Sequence, residues 1–123
     1  MSRIFLVLAA LSGFVAVAAG AFGAHALKVR LAPDLLAIFD TAVRYQMFHV
    51  AGLIAASWLA ARGPNGAALA SGWCFVAGKQ IFSGSLYALA LTGTRWLGAI
   101  TPVGGALFLA GWLLLAWAAW RAG

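Results

Sequence analysis

The chain has 123 residues, 65% of them hydrophobic and 8% charged, with a net charge of +6. So few charges cannot clothe a water-facing surface, where about a quarter of residues are charged, and so high an apolar content excludes disorder. The eight bases, Arg3, Lys28, Arg30, Arg44, Arg62, Lys79, Arg95 and Arg121, are scattered and most punctuate apolar runs, which excludes a nucleic-acid surface and matches the flanks of membrane spans.

The first apolar run, residues 4–24, holds no charge. At the helical rise it covers about 30 Å, one hydrocarbon core. It exceeds the roughly 7–15 apolar residues of a signal peptide, so a retained span is expected. Leu27 to Arg44 follows as a polar stretch with Lys28, Arg30, Pro33 and both acids of the chain, Asp34 and Asp40. Pro33-Asp34 reads as a break. The apolar residues after it, Leu35, Leu36, Ile38 and Phe39, predict a short interfacial helix between helices 1 and 2. Asp40 and Arg44 stand four apart and can pair on one helix face.

The second span is expected at 42–61, extended at its start by Arg44 reaching to the interface. Arg62-Gly63-Pro64-Asn65-Gly66 is a turn built from helix breakers. The third span, 67–91, carries Lys79 near its centre. The fourth, 97–120, carries Thr101-Pro102 near its start, where proline suits a first helical turn. Uniformly apolar runs argue against a β-barrel, whose strands alternate, and each segment must satisfy its own backbone. The expected fold is all-α: one domain over 1–123, an integral membrane bundle of four transmembrane helices in antiparallel up-down order.

Small residues at four-residue spacing, Ala16/Gly20/Ala24, Ala68/Gly72 and Ala106/Ala110, are the expected interhelical contacts. Four crossings place Arg3, Arg62 and Arg121 on one face and Lys28, Arg30, Arg44 and Arg95 on the other, a balance that leaves orientation open. Trp58, Trp73, Trp117 and Trp120 gather towards the terminal face as an aromatic belt. Cys74, the lone cysteine, allows no internal disulfide and no cysteine-based metal site.

The opposite half of the bundle collects the polar side chains: His25, Arg44, Tyr45, Gln46, His49, Ser83, Ser85, Tyr87 and Thr101. Tyr45 and His49 share a helix face, as do Ser83 and Tyr87. Buried together, such groups need partners and find one another. They form either a hydrogen-bonded plug that sets helix register or a small polar site open to one side. His25 and His49 could alternatively ligate a metal or haem iron. Lys79 calls for a partner, a wet cavity or a route to the interface. It marks an ion or proton path, a side chain that snorkels, or a contact with another subunit.

Four segments carry a family resemblance. Gly20-Ala21-Phe22-Gly23-Ala24-His25-Ala26-Leu27-Lys28 resembles the opening signature of the small membrane family known as domain of unknown function four-two-three, the YgdD/YwdK-like proteins. Thr41-Ala42-Val43-Arg44-Tyr45-Gln46-Met47-Phe48-His49 is similar to its second motif and Phe82-Ser83-Gly84-Ser85-Leu86-Tyr87-Ala88-Leu89 to its third. Ile100-Thr101-Pro102-Val103-Gly104-Gly105, followed by Gly111-Trp112, is similar to its fourth. The resemblance implies a multi-pass protein of the bacterial inner membrane and no known reaction. It also implies an apolar residue where Lys79 stands.

No nucleotide loop, Ser/His/Asp triad or carboxylate pair is present, and two acids in the chain give general acid–base chemistry little to work with. The expectation is a non-enzymatic structural or accessory subunit without a cofactor, acting through helix contacts as a homo-oligomer or with other membrane-protein subunits. A transporter component using the His/Tyr/Lys cluster is the second reading, and a haem, metal or quinone binder the third.

Overall fold

The computed structural model describes residues 1–122. Among them stand four α-helices, here α1 (Ser2–His25), α2 (Pro33–Ala61), α3 (Gly66–Thr92) and α4 (Thr101–Ala122), with 3₁₀ turns at Leu27–Val29 and Arg95–Ala99. The expected spans lie within these helices except at the start of the fourth, where residues 97–99 belong to the 3₁₀ turn and α4 begins at Thr101.

The helix ends follow from local chemistry. Proline excludes the helical region for the residue before it, and Ala32 is extended at φ −58° and ψ 149°. Pro33 then occupies the first turn of α2, where its missing N–H costs nothing. Asp34 beside it suits the positive end of the helix dipole. The Pro33-Asp34 break is therefore a helix start. The short helix expected after it is not separate: residues 35–39 form the opening turns of a continuous 29-residue α2. Asn65 caps α3 by accepting the Ala68 N–H at 3.1 Å, and its amide donates to the Ala118 carbonyl at 3.1 Å, fastening the α2–α3 turn to α4. Gly93, at φ 72°, closes α3 in the left-handed region with its N–H on the Leu89 carbonyl.

Successive helices are antiparallel. Ser2 meets Ser57 at one end of the α1–α2 pair, and Gly20 faces Val43 towards the other. Gly52 faces Phe75 across α2–α3, and Gly78 faces Phe108 across α3–α4. Each helix packs on the next in the chain, while α2 and α4 meet along a thin seam.

The core is made of aromatic rings set into glycine notches. Phe5 fills the space beside Gly72, Phe75 lies against Gly52 and Gly111, and Phe108 lies on Gly78. Phe5 and Phe75 are almost completely buried. In lipid, such fitted contact replaces the hydrophobic drive as the source of helix association. On α4 the close contacts belong to Gly104 and Gly111, both buried, whereas Ala106 is exposed. The expected Ala106/Ala110 seam is thereby corrected: a residue without a side chain allows a closer approach than alanine.

The outer surface is a sheath of apolar side chains, Leu6, Val7, Phe14, Val17, Phe48, Leu109 and Leu113 among them. By length and composition α1, α3 and the segment Arg95–Ala122 are able to cross a membrane. α2 is not in that set, because Arg44, Tyr45, Gln46 and His49 open its apolar stretch.

Candidate functional site

Much of the predicted polar cluster forms a set of pegs between helices. Gln46, on α2, is its hub. Its Nε2 donates to the Ser12 carbonyl of α1 at 2.9 Å, while its Oε1 accepts the Tyr87 hydroxyl of α3 at 2.7 Å. One turn away, Ser83 donates to the Ala42 carbonyl at 2.8 Å, a second tie between α3 and α2. Ser85 shares a 2.6 Å hydrogen bond with Thr101, joining α3 to α4. Gln46 and Ser83 are buried, and among the described residues no buried side-chain nitrogen or oxygen lacks a partner.

His49 is held from two sides. Its Nδ1 lies 2.7 Å from the Tyr45 carbonyl, which can only accept. Nδ1 therefore carries the proton, and Nε2 accepts the Trp112 indole N–H at 2.9 Å. The imidazole stacks on Phe108 with ring centroids 3.5 Å apart. Both nitrogens are engaged, so this histidine offers no lone pair to a metal.

Three predicted members stand outside the pegs. His25 is exposed at the end of α1. The pairing of Gly20 with Val43 sets it level with the first turns of α2, on the order of 15 Å along the axis from His49. The proposed His25/His49 pairing for metal or haem therefore does not fit. The two histidines lie at different depths because α2 begins at Pro33, well before Arg44. Arg44 is exposed and pairs with Asp40 at 2.7 Å, as the spacing predicted. Tyr45 is half exposed, its ring against Phe82 at 4.6 Å.

Tyr45, Phe48, His49, Phe82 and Trp112 wall a cavity of about 730 Å³ on the α2–α4 seam, with Arg44 at its edge. Most of its lining comes from the second, third and fourth sequence motifs. Its walls are largely aromatic, and it opens sideways on the apolar sheath.

Lys79 occupies the middle of α3. It lines a groove of about 260 Å³ with Leu8, Leu11 and Val15 of α1. Both carboxylates are committed elsewhere, Asp40 to Arg44 and Asp34 to Arg95. An unpaired cation at mid-depth costs at least about 3 kcal/mol. The Asp34–Arg95 pair, at 2.5 Å, ties the start of α2 to the α3–α4 loop, and Arg95, chiefly through its hydrogen bond, holds the Asp34 carboxyl below the ordinary carboxylate range.

Sequence reasoning did not single out Ser12 and Trp112 as bonded partners. Ser12 was discoverable as the polar residue of the first apolar run. Trp112 gave only the weaker signal of standing on the last predicted span away from its ends.

The model of a family described as a protein of unknown function, DUF423, matches residues 19–105. The chain is 44% identical over 122 residues to a UPF0382 membrane protein of Haemophilus influenzae, covering 98% of this chain and 97% of that one. It is 40% identical over 118 residues to the UPF0382 membrane protein YwdK of Bacillus subtilis, covering 95% and 96%. To the UPF0382 inner membrane protein YgdD of Escherichia coli it is 40% identical over 114 residues, covering 93% and 87%. No solved structure matches.

Proposed function

Since this chain belongs to the DUF423 family, we propose that it is a non-enzymatic, multi-pass component of the bacterial inner membrane that works through lateral helix contacts. All four helices cross, α2 included. The polar groups that lower the hydropathy of α2, Gln46 and His49, are turned inward onto α1, α3 and α4. Past Tyr45 the large exposed side chains of that helix are Met47, Phe48, Ile54 and Trp58, all apolar or aromatic. The opening turns of α2, with Asp34 and Asp40, lie in the interface.

The observation that carries this reading is the closure of the polar core. Gln46, Ser83, Ser85, Tyr87 and His49 are bonded across helices, which gives register and engages these groups with one another or with backbone. What remains available is surface. Native mass spectrometry of the protein released from membranes into lipid nanodiscs tests it: a mass above that of one chain is expected, and a lone monomer without any co-purifying protein overturns it.

A second reading is favoured by the aromatic cavity between α2 and α4, whose stacked rings and lateral opening suit a quinone ring. Extracting the purified protein with organic solvent and identifying the released molecules checks that reading; release of bulk phospholipid alone removes it.

A further inference from the structure

We propose that the groove between α1 and α3 receives a transmembrane helix of a different protein, one that carries a carboxylate at mid-membrane depth to pair with Lys79. The inference deepens the lateral-contact reading above and rests on it.

Lys79 has about 20 Å of helix on either side, more than a four-carbon stem can bridge to reach an interface. Next to it Gln80 is exposed, in the same groove. Two neighbouring polar residues turned outward at this depth lack acceptors in hydrocarbon, and polar groups on membrane helices find them on other helices. The inner wall of the groove offers oxygens but no counter-charge, because Ser12, Gln46, Ser83 and Tyr87 are all uncharged.

The surface is also shaped for close approach. Gly84 lies one turn from Gln80 on the same face and is exposed, and a methyl group added there would meet no atom within 4 Å. A bare glycine beside a polar pair lets a second backbone come near enough to bond.

Charge identifies the occupant. The chain has two acids, and both already pair with arginines near the start of α2. A second copy would therefore bring no free carboxylate, only another Lys79. The counter-charge must come from a different polypeptide, whose carboxylate would accept from the Lys79 ammonium and the Gln80 amide together.

The test uses the full chain, fluorescently labelled, in phosphatidylcholine vesicles with synthetic leucine-alanine transmembrane helices bearing a single central Glu or Leu. Energy transfer should report association about tenfold tighter for the Glu helix. Lys79→Leu should reduce it to the level of the Leu helix, and Gly84→Ile should weaken it. Lys79→Glu should restore binding towards a helix with a central Lys, which separates pairing from a failure to fold. Equal association of the Glu and Leu helices overturns the proposal. So does transfer between copies of this chain that Lys79→Leu abolishes, since the occupant would then be a second copy. If Lys79→Leu keeps its partner mass in native membranes, lateral assembly stands and this inference alone falls. If the unaltered chain has no partner mass, the underlying reading falls as well.

Discussion

Trp112 of α4 donates its indole N–H to Nε2 of His49 on α2 at 2.9 Å, and His49 donates its own Nδ1–H one turn back to the Tyr45 carbonyl at 2.7 Å. The two bonds fix one neutral tautomer, and the first of them bridges the thin α2–α4 seam. Trp112→Phe keeps an aromatic ring but leaves a buried acceptor bare, a loss of about 1–3 kcal/mol. His49→Phe removes the acceptor and leaves the Trp112 N–H without its partner. A double-mutant cycle by unfolding in mixed detergent micelles should give a coupling of about 0.5–2 kcal/mol between the two residues. Additive losses would show that the bond contributes nothing.

The Ser12–Gln46–Tyr87 chain joins three helices through one side chain. Gln46→Leu has a similar volume and should cost about 1–3 kcal/mol, because it strands the Tyr87 hydroxyl as well as releasing Ser12. Tyr87→Phe should cost less, about 0.5–1.5 kcal/mol. The order of the two losses in the same micelle assay is the check, and a larger loss for Tyr87→Phe would remove Gln46 from the centre of the network.

Gly104 sits against the backbone of Phe82, and a methyl group there would collide with the main-chain nitrogen. Backbone cannot turn aside as a side chain can, so α3 and α4 must separate. Gly104→Ala should destabilise by about 1–3 kcal/mol or more. Gly84→Ala meets open space and should be neutral or stabilising by up to about 1 kcal/mol, as for glycine replacement within a helix. Thermal unfolding of both variants in one detergent compares them directly; similar losses would contradict the contact.

How much of this was visible in the residues depended on what each signal encodes. Length and apolarity located the helices, because hydrocarbon thickness fixes both. Four-residue spacing on one face foretold the Asp40–Arg44 pair, and it set Ser83 and Tyr87 on one face of the third span, at a depth similar to the polar start of the second. Depth was less legible. His25 was grouped with His49 because α2 was expected to begin near Ala42, and the proline that starts it earlier was read as a break. The seam on α4 was misplaced for a related reason: alanine and glycine both count as small, yet only at Gly104 and Gly111 does the missing methyl admit a neighbour. Trp112 was hidden because tryptophan in an apolar span reads as belt or filler, and its one donor finds a partner only once α2 and α4 lie side by side.

Asp34 and Arg95 form the only described ion pair that joins two separate helical segments, and it lies outside the apolar core. The Asp34 carboxyl titrates below its ordinary range, first because of the Arg95 hydrogen bond. A depressed folded pKa gives stability that is present above the unfolded value, about 3.9, and is lost as pH falls through the folded one. Neutral and mildly acid conditions should therefore leave the α3–α4 loop fastened. Below the carboxylate range it should release while the helices stay intact, since the buried pegs carry no carboxylate. Trp96 adjoins Arg95 and is largely exposed, so 5-fluorotryptophan at that position reports the release by NMR. Its resonance should shift on acidification in the native chain and stay near the released position at every pH in Asp34→Asn. A shift of equal size in Asp34→Asn would assign the transition to another group.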